Sequence, residues 1–166
     1  MSKSPSVNLL EAYDAYSDAI FRYCFVRVRN REVALDLMQE AFIKTWEYLR
    51  TDHTVQNMRA FLYKVAGNLV IDYSRKKKES SLDTLMDRGF DVVTEDQSKI
   101  HDSLDVQYAL AVVNQLDEKY RDVIVMRYVH ELSIGEIAEI IQESENVVSV
   151  RLHRGLQQIR KLFEEK

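Results

Sequence analysis

The sequence predicts an all-α fold made of two small helical units, on three observations. One proline and four glycines in 166 residues leave almost no turn chemistry for hairpins. Apolar residues recur at steps of three and four along most of the chain. Two such stretches are separated by residues 79–103, which lack sustained periodicity, hold Gly89 and are acidic, so a flexible linker is expected there. Length alone suits either one domain with a full core or two small units. With 46% hydrophobic and 30% charged residues the composition is globular.

In the first unit, Leu9, Leu10, Tyr13, Tyr16, Ile20, Tyr23, Cys24 and Arg27 predict a helix from about 7 to 29. A second starts near Arg31 and carries Val33, Leu37, Ala41, Thr45, Trp46 and Leu49. The polar stretch 51-TDHTVQN-57 interrupts the pattern. A third helix is expected from Met58 to Lys77, burying Phe61, Leu62, Val65, Ala66, Leu69, Val70 and Tyr73, and it ends in the basic run 75-RKKK-78.

The second unit opens with a helix over about 104–116 that uses Leu104, Tyr108, Ala111 and Val112. The next, about 118–129, uses Tyr120, Val123, Ile124, Arg127 and Tyr128. Ser133 with Glu136 three residues on reads as a capping box opening a helix that buries Ile134, Ile137, Ala138 and Ile141. Ser144 opens the last helix, whose stripe is Val148, Leu152, Leu156, Ile159 and Phe163. Residues 133–163 therefore describe helix, short turn, helix.

A helix-turn-helix packs its second helix by one stripe and offers the other face to the DNA major groove. That face holds Glu145, Asn146, Ser149, Val150, His153, Arg154 and Gln157. Arg151 and Arg154 suit phosphates, Asn146 or Ser149 a base edge, and Val150 a thymine methyl. An αα-hairpin with a solvated outer face explains the same pattern and stays open at this point.

Charge is segregated. Residues 79–107 hold eight carboxylates against Arg88 and Lys99, a local charge of −6 within a net −4, so the rest of the chain carries +2. Cys24 is the single cysteine and lies in an apolar context, which fits a reducing cytoplasm and forbids an internal disulfide. The longest apolar run is 108-YALAVV-113, far short of a membrane span, and the N-terminus has no signal-like apolar region. Catalytic and metal signatures are missing: no HExxH, CxxC, Glu-x-x-His, GxSxG or Gly-rich phosphate loop. Asp36 and Glu40 share a helix face, but two carboxylates alone are explained by solvation, so no enzyme, cofactor or metal is expected.

Three stretches resemble one family. The first, 36-DLMQEAFIKTWEYL-49, is similar to the D-L-x-Q-E-x-F-x-x-x-W core of the extracytoplasmic-function (ECF) sigma factors of bacterial RNA polymerase. The second, 59-RAFLYKVAGNLVIDYSRKKK-78, is similar to their N-x-x-x-D-x-x-R segment. The third, 132-LSIGEIAEII-141 with 151-RLHRG-155, is similar to their L-S-x-x-E-I-A and R-L-H-R-A. The resemblance implies a sigma2-like three- or four-helix bundle over 1–78, an acidic linker over 79–103 and a sigma4-like helix-turn-helix domain over 104–166.

It also implies roles. Asp36, Gln39 and Glu40 would grip the clamp helices of core RNA polymerase, with Phe42 and Trp46 packing into their own domain. Asn68, Asp72, Arg75, Lys76, Lys77 and Lys78 would face the minus-ten element, with 51–57 where the family holds a flipped base. Glu145, Asn146, Ser149, Val150, Arg151 and Arg154 would read the minus-35 element. Gln142, Glu143, Val147 and Ser149 depart from the family pattern, where glycine, a small apolar residue, threonine and a cation are usual.

The expected function is transcription initiation on core polymerase and promoter DNA, with an anti-sigma factor as a partner common in the group. Two rivals are a stand-alone helix-turn-helix regulator with an N-terminal sensor bundle and a helical adaptor that binds only proteins.

Overall fold

The structure is a computed structural model and describes residues 5–82 and 104–164. Seven helices are present among them: α1 Pro5–Val28, α2 Arg31–Arg50, α3 Met58–Leu82, α4 Leu104–Asn114, α5 Glu118–Tyr128, α6 Ile134–Ile141 and α7 Glu145–Glu164. They fall in two compact units, the first built on α1 to α3. Residues 83–103, most of the expected linker, lie outside the described residues.

In the first unit α1, α2 and α3 pack pairwise against one another. Only two residues separate α1 from α2, and both have a defined task. Arg29 turns left-handed (φ 52°) and donates its N–H to Phe25 O at 2.8 Å, closing α1. Asn30 is extended and its Oδ1 accepts from Val33 N at 3.0 Å, opening α2. The core is Ile20, Tyr23 and Cys24 from α1, Ala34, Leu37, Met38, Ala41 and Phe42 from α2, and Leu62, Tyr63, Ala66, Leu69 and Val70 from α3. Each large member contributes about 1.5–3 kcal/mol by leaving water. Thr45 is buried with its hydroxyl donated to Ala41 O at 2.8 Å, so it carries no desolvation penalty.

Three details differ from the expected pattern. Leu10 and Tyr13 are exposed, because α1 turns Ala12, Ile20, Tyr23 and Cys24 inward instead. Tyr63 and Ala60 are buried although their spacing did not mark them, while Phe61, Val65 and Tyr73, expected on the buried face, are half-buried. The helix expected to end near Lys77 runs to Leu82, since nothing from Glu79 to Leu82 breaks it and Ser80 and Ser81 bond back to the Lys77 and Lys78 carbonyls at 3.0 Å. The basic run therefore lies inside a helix rather than at its C-terminal end.

In the second unit α7 packs on α5 and α4. The core is Val112, Leu116, Tyr120, Val123, Ile124, Met126, Leu132, Ile137, Ala138, Val148 and Leu152. Gly155 lets α7 approach α5 closely. Ser133 and Glu136 form the expected reciprocal cap, Ser133 N donating to Glu136 Oε2 at 2.8 Å and Glu136 N to Ser133 Oγ at 3.2 Å. Ser144 Oγ accepts from Val147 N at 3.2 Å and opens α7.

Corrections fall on the edges of the predicted stripes. Ala111, Arg127 and Tyr128 are exposed and Ile134 and Ile141 only half-buried, while Met126 and Ile140 are buried. Beyond Tyr128 the chain turns through left-handed Glu131 (φ 54°), and the Arg127 guanidinium donates to Leu132 O at 2.9 Å. Phe163 is half exposed with its ring edge-on to Tyr108, centroids 5.4 Å apart.

Candidate nucleic-acid and partner interfaces

On α2 the buried residues Leu37, Met38, Ala41 and Thr45 fix the helix rotation, which turns Asp36, Gln39 and Glu40 to solvent. Ile43, 57% exposed, and Glu47 continue the same ridge at steps of three and four. An apolar side chain framed by carboxylates and an amide is suited to a basic protein surface with an apolar centre. Lys44 Nζ stands 3.8 Å from Glu40 Oε1, a solvated pair that a partner displaces at little cost. Phe42 is buried edge-on to Tyr13 and Trp46 is half-buried. Periodicity alone did not single out Ile43, because it lies off the core stripe.

On α3, Asn68, Asp72 and Arg75 follow at steps of four and three and are exposed, with Lys76, Lys77 and Lys78 after them. Arg75 donates to Asp72 Oδ1 at 3.3 Å, so these two neighbours neutralise each other in the free chain. Ile71 is exposed between them. The Gly67 face packs against α1: a Cβ there would stand 3.0 Å from Tyr23 Oη.

Around the turn 51–57 lies a short aromatic ladder, drawn from α2, the turn and α3, that helical periodicity does not register. His53 stacks on Tyr48 with centroids 4.3 Å apart, and Tyr48 lies 4.9 Å from Phe61. Thr51 Oγ1 donates its one proton to Tyr48 O at 2.9 Å, so the 2.7 Å contact with His53 Nδ1 has the imidazole N–H as donor. Asp52 is left-handed (φ 57°), and Asn57 Oδ1 caps α3 by accepting from Ala60 N at 3.0 Å. Pre-stacked rings, with Tyr48 and His53 exposed, have the chemistry that holds unstacked bases. Aromatics at 48, 53 and 61 bracketing a polar turn were the available signal.

On α7, Glu145, Asn146, Ser149, Val150 and Arg154 are exposed. Arg151 is not a free cation: its Nη2 donates to Glu143 Oε1 at 3.0 Å, across the turn. Gln142 takes the left-handed conformation (φ 56°) where glycine is at ease, and Glu143 N donates to Ala138 O at 3.1 Å. Glu145 leans over the start of α6, its Oε1 lying 3.4 Å from where a Cβ on Gly135 would be. A cavity of about 240 Å³ opens among Lys119, Tyr120, Asn146, Val150, Arg151 and Arg154. Lys119, whose ammonium lies 4.9 Å from the Tyr120 ring centroid, brings α5 into this face and was not anticipated. No helix among the described residues is long and apolar enough to cross a membrane.

Residues 12–80 match the family described as Sigma-70 region 2, and residues 107–159 match Sigma-70, region 4. The ECF RNA polymerase sigma factor SigW of Bacillus subtilis (strain 168) is 33% identical over 158 residues, which span 89% of this chain and 84% of the relative. The chain belongs to the ECF sigma factors. The RNA polymerase sigma factor SigV of the same organism is 29% identical over 140 residues, 84% of this chain and 81% of that one.

Solved structures agree on the fold of the sigma factor. RpoE from Bartonella quintana, in complex with the anti-sigma factor NepR, superposes with a TM-score of 0.74 at 18% identity over 95% of this chain and 97% of that one. CnrH, in complex with the cytosolic domain of CnrY, gives 0.68 at 17% identity over 95% and 88%. As a member of its family, whose members are regulatory transcription factors, this sigma factor is a transcription initiation factor that directs RNA polymerase to promoters. The stand-alone regulator is not favoured, because its sensor bundle falls on the region 2 match.

Proposed function

We propose how this sigma factor divides that work among its residues. Asp36, Gln39 and Glu40, with Ile43 between them and Glu47, dock α2 on the basic clamp helices of core RNA polymerase. Asn68, Asp72 and Arg75 face the minus-ten element, Lys76, Lys77 and Lys78 hold the strand backbone, and the Tyr48–His53 stack receives an unstacked base, so the N-terminal unit opens the promoter. Glu145, Asn146, Ser149, Val150, Arg151 and Arg154 address the minus-35 element from α7. The sigma2-like domain spans 1–78, the acidic segment 79–103 threads a cationic polymerase channel, and the sigma4-like domain spans 104–166. The chain works in the cytoplasm, without catalysis or cofactor, and an anti-sigma factor is a further partner, as one is for RpoE from Bartonella quintana.

One observation carries this reading. In each matched stretch the core residues Leu37, Met38 and Ala41, Leu62, Ala66 and Leu69, and Val148 and Leu152 are buried, while the polar residues named above are exposed, apart from half-buried Arg151. A merely solvated surface has no reason to collect an amide, carboxylates and an exposed isoleucine on one helix and a cationic ridge on the next.

Permanganate probing of unpaired thymines on a promoter bound by the holoenzyme tests the division of labour. Asn68→Ala combined with Tyr48→Ala is expected to reduce strand opening at least tenfold while protection of the minus-35 region persists. Equal loss of both signals, or of neither, contradicts it.

A further inference from the structure

The pair Glu143–Arg151, at the candidate minus-35 face, bridges two parts of the motif rather than neighbours on one helix turn. Its members lie eight positions apart in the chain. The turn sets it up locally: left-handed Gln142 reverses the chain, Glu143 N bonds to Ala138 O, and Ser144 caps α7, so the residue just before the cap is held over the first two turns of the helix. A side chain on a helix slants toward the N-terminus, which carries the Arg151 guanidinium back to that carboxylate. The Arg151 side chain is 27% exposed, whereas Arg154 on the same face and Lys119 on the first turn of α5 are open to solvent. All three line the same cavity with Asn146 and Val150.

We infer that Glu143 competes with promoter phosphate for Arg151, so that the sigma factor meets its minus-35 element with one cation withheld. The inference rests on the reading that α7 docks in the minus-35 major groove. A phosphate oxygen and a carboxylate oxygen offer a guanidinium the same charge-assisted hydrogen bond. For Arg151 to reach DNA it must leave Glu143, and the released carboxylate then stands beside the negatively charged duplex. Binding through Asn146, Val150, Arg154 and Lys119 proceeds without that exchange. The minus-35 contact is thereby kept weak and less dependent on salt than the count of cations suggests. Glu143 is thus a positioning residue that sets affinity without touching a base.

The test is a double-mutant cycle on the holoenzyme: parent, Glu143→Gln, Arg151→Gln and the double variant. The probe is a duplex promoter recovered by the parent holoenzyme from a library with a randomised minus-35 hexamer, titrated at several salt concentrations. Glu143→Gln is expected to tighten binding about threefold to tenfold at low salt and to steepen the slope of log K against log salt by about 0.9, one added phosphate contact. Arg151→Gln is expected to cost several-fold more in the Glu143→Gln background than in the parent. Weaker binding in Glu143→Gln would mean that the carboxylate prepares Arg151 for DNA, and it overturns the inference. An equal gain with or without Arg151 makes Glu143 a simple repulsive charge and overturns it too. If the parent recovers no preferred hexamer, the docking of α7 itself fails and the inference with it.

Discussion

Gly155 on α7 lies so close to Ile124 on α5 that a Cβ added there would stand 3.0 Å from Ile124 Cγ1 and 3.4 Å from Tyr120 Cβ. The position falls where the family pattern in the stretch 151-RLHRG-155 has alanine. Ile124 and Tyr120 are buried and have little room to yield. Gly155→Ala is therefore expected to leave stability within about 1 kcal/mol, a helix-propensity gain offset by a small shift of Ile124. Gly155→Val overpacks the crossing and is expected to cost about 1–3 kcal/mol in urea unfolding. A stabilised Gly155→Val would show that the two helices are not in close contact.

The cap at α6 gives a second stability test. Ser133→Ala removes the acceptor for Glu136 N and is expected to cost about 1 kcal/mol, seen as a lower midpoint in thermal unfolding. An unchanged midpoint would mean that water replaces the cap without penalty.

Cys24 has no exposed surface, and burial pushes its thiol from 9.0 up to about 12, only partly offset by the Arg27 guanidinium. The native chain is expected to resist alkylation by iodoacetamide at pH 8 and to react once unfolded in urea. The linkage has a definite sign. The unfolded thiol ionises from about pH 9 while the folded one keeps its proton, so unfolding is favoured as pH rises through the window from 9 to about 12. Stability of the parent should fall more steeply there than that of Cys24→Ala. Parallel pH curves for the two would contradict the burial of the thiol.

The run Lys76 to Lys78 sits inside α3, which continues to Leu82, so these cations are not needed to complement a helix end. Replacing all three with alanine is expected to weaken promoter binding by the holoenzyme and to reduce the salt slope by about 0.7 for each contact to single-stranded phosphate. Core binding should not change. An unaltered slope would reduce the run to a solvated face and would favour a protein-only adaptor.

What the sequence made legible was local. The caps at Ser133 and Ser144, the start of α2 at Arg31 and the centres of the buried stripes, Leu37 and Ala41 on α2 and Leu62, Ala66 and Leu69 on α3, follow from signals within four residues, where spacing determines geometry. The end of α3 was not legible, because the change from apolar to charged residues at 75–78 alters solvation without breaking a helix. Exposed Tyr128 and buried Met126 were misplaced because the chain leaves α5 there through a left-handed turn, which periodicity does not register.

At the candidate interfaces, the outward positions of Asp36, Asn68 and Arg154 were readable from the opposite stripe. The Glu143–Arg151 pair, the Lys119 contribution and the Tyr48–His53 stack were not. Each joins residues across a turn or between helices, where no fixed spacing announces contact.

Whether Asp36, Gln39 and Glu40 dock α2 on polymerase is decided by binding of the purified chain to sigma-free bacterial core polymerase, followed by the fluorescence of half-buried Trp46, one turn along α2 from Ile43. A tight complex that co-elutes with core is expected, with a loss of affinity of about tenfold or more in the Gln39→Ala, Glu40→Ala double variant and an unchanged thermal midpoint. Failure of the parent chain to bind core at low salt, or equal binding by the double variant, would contradict that docking.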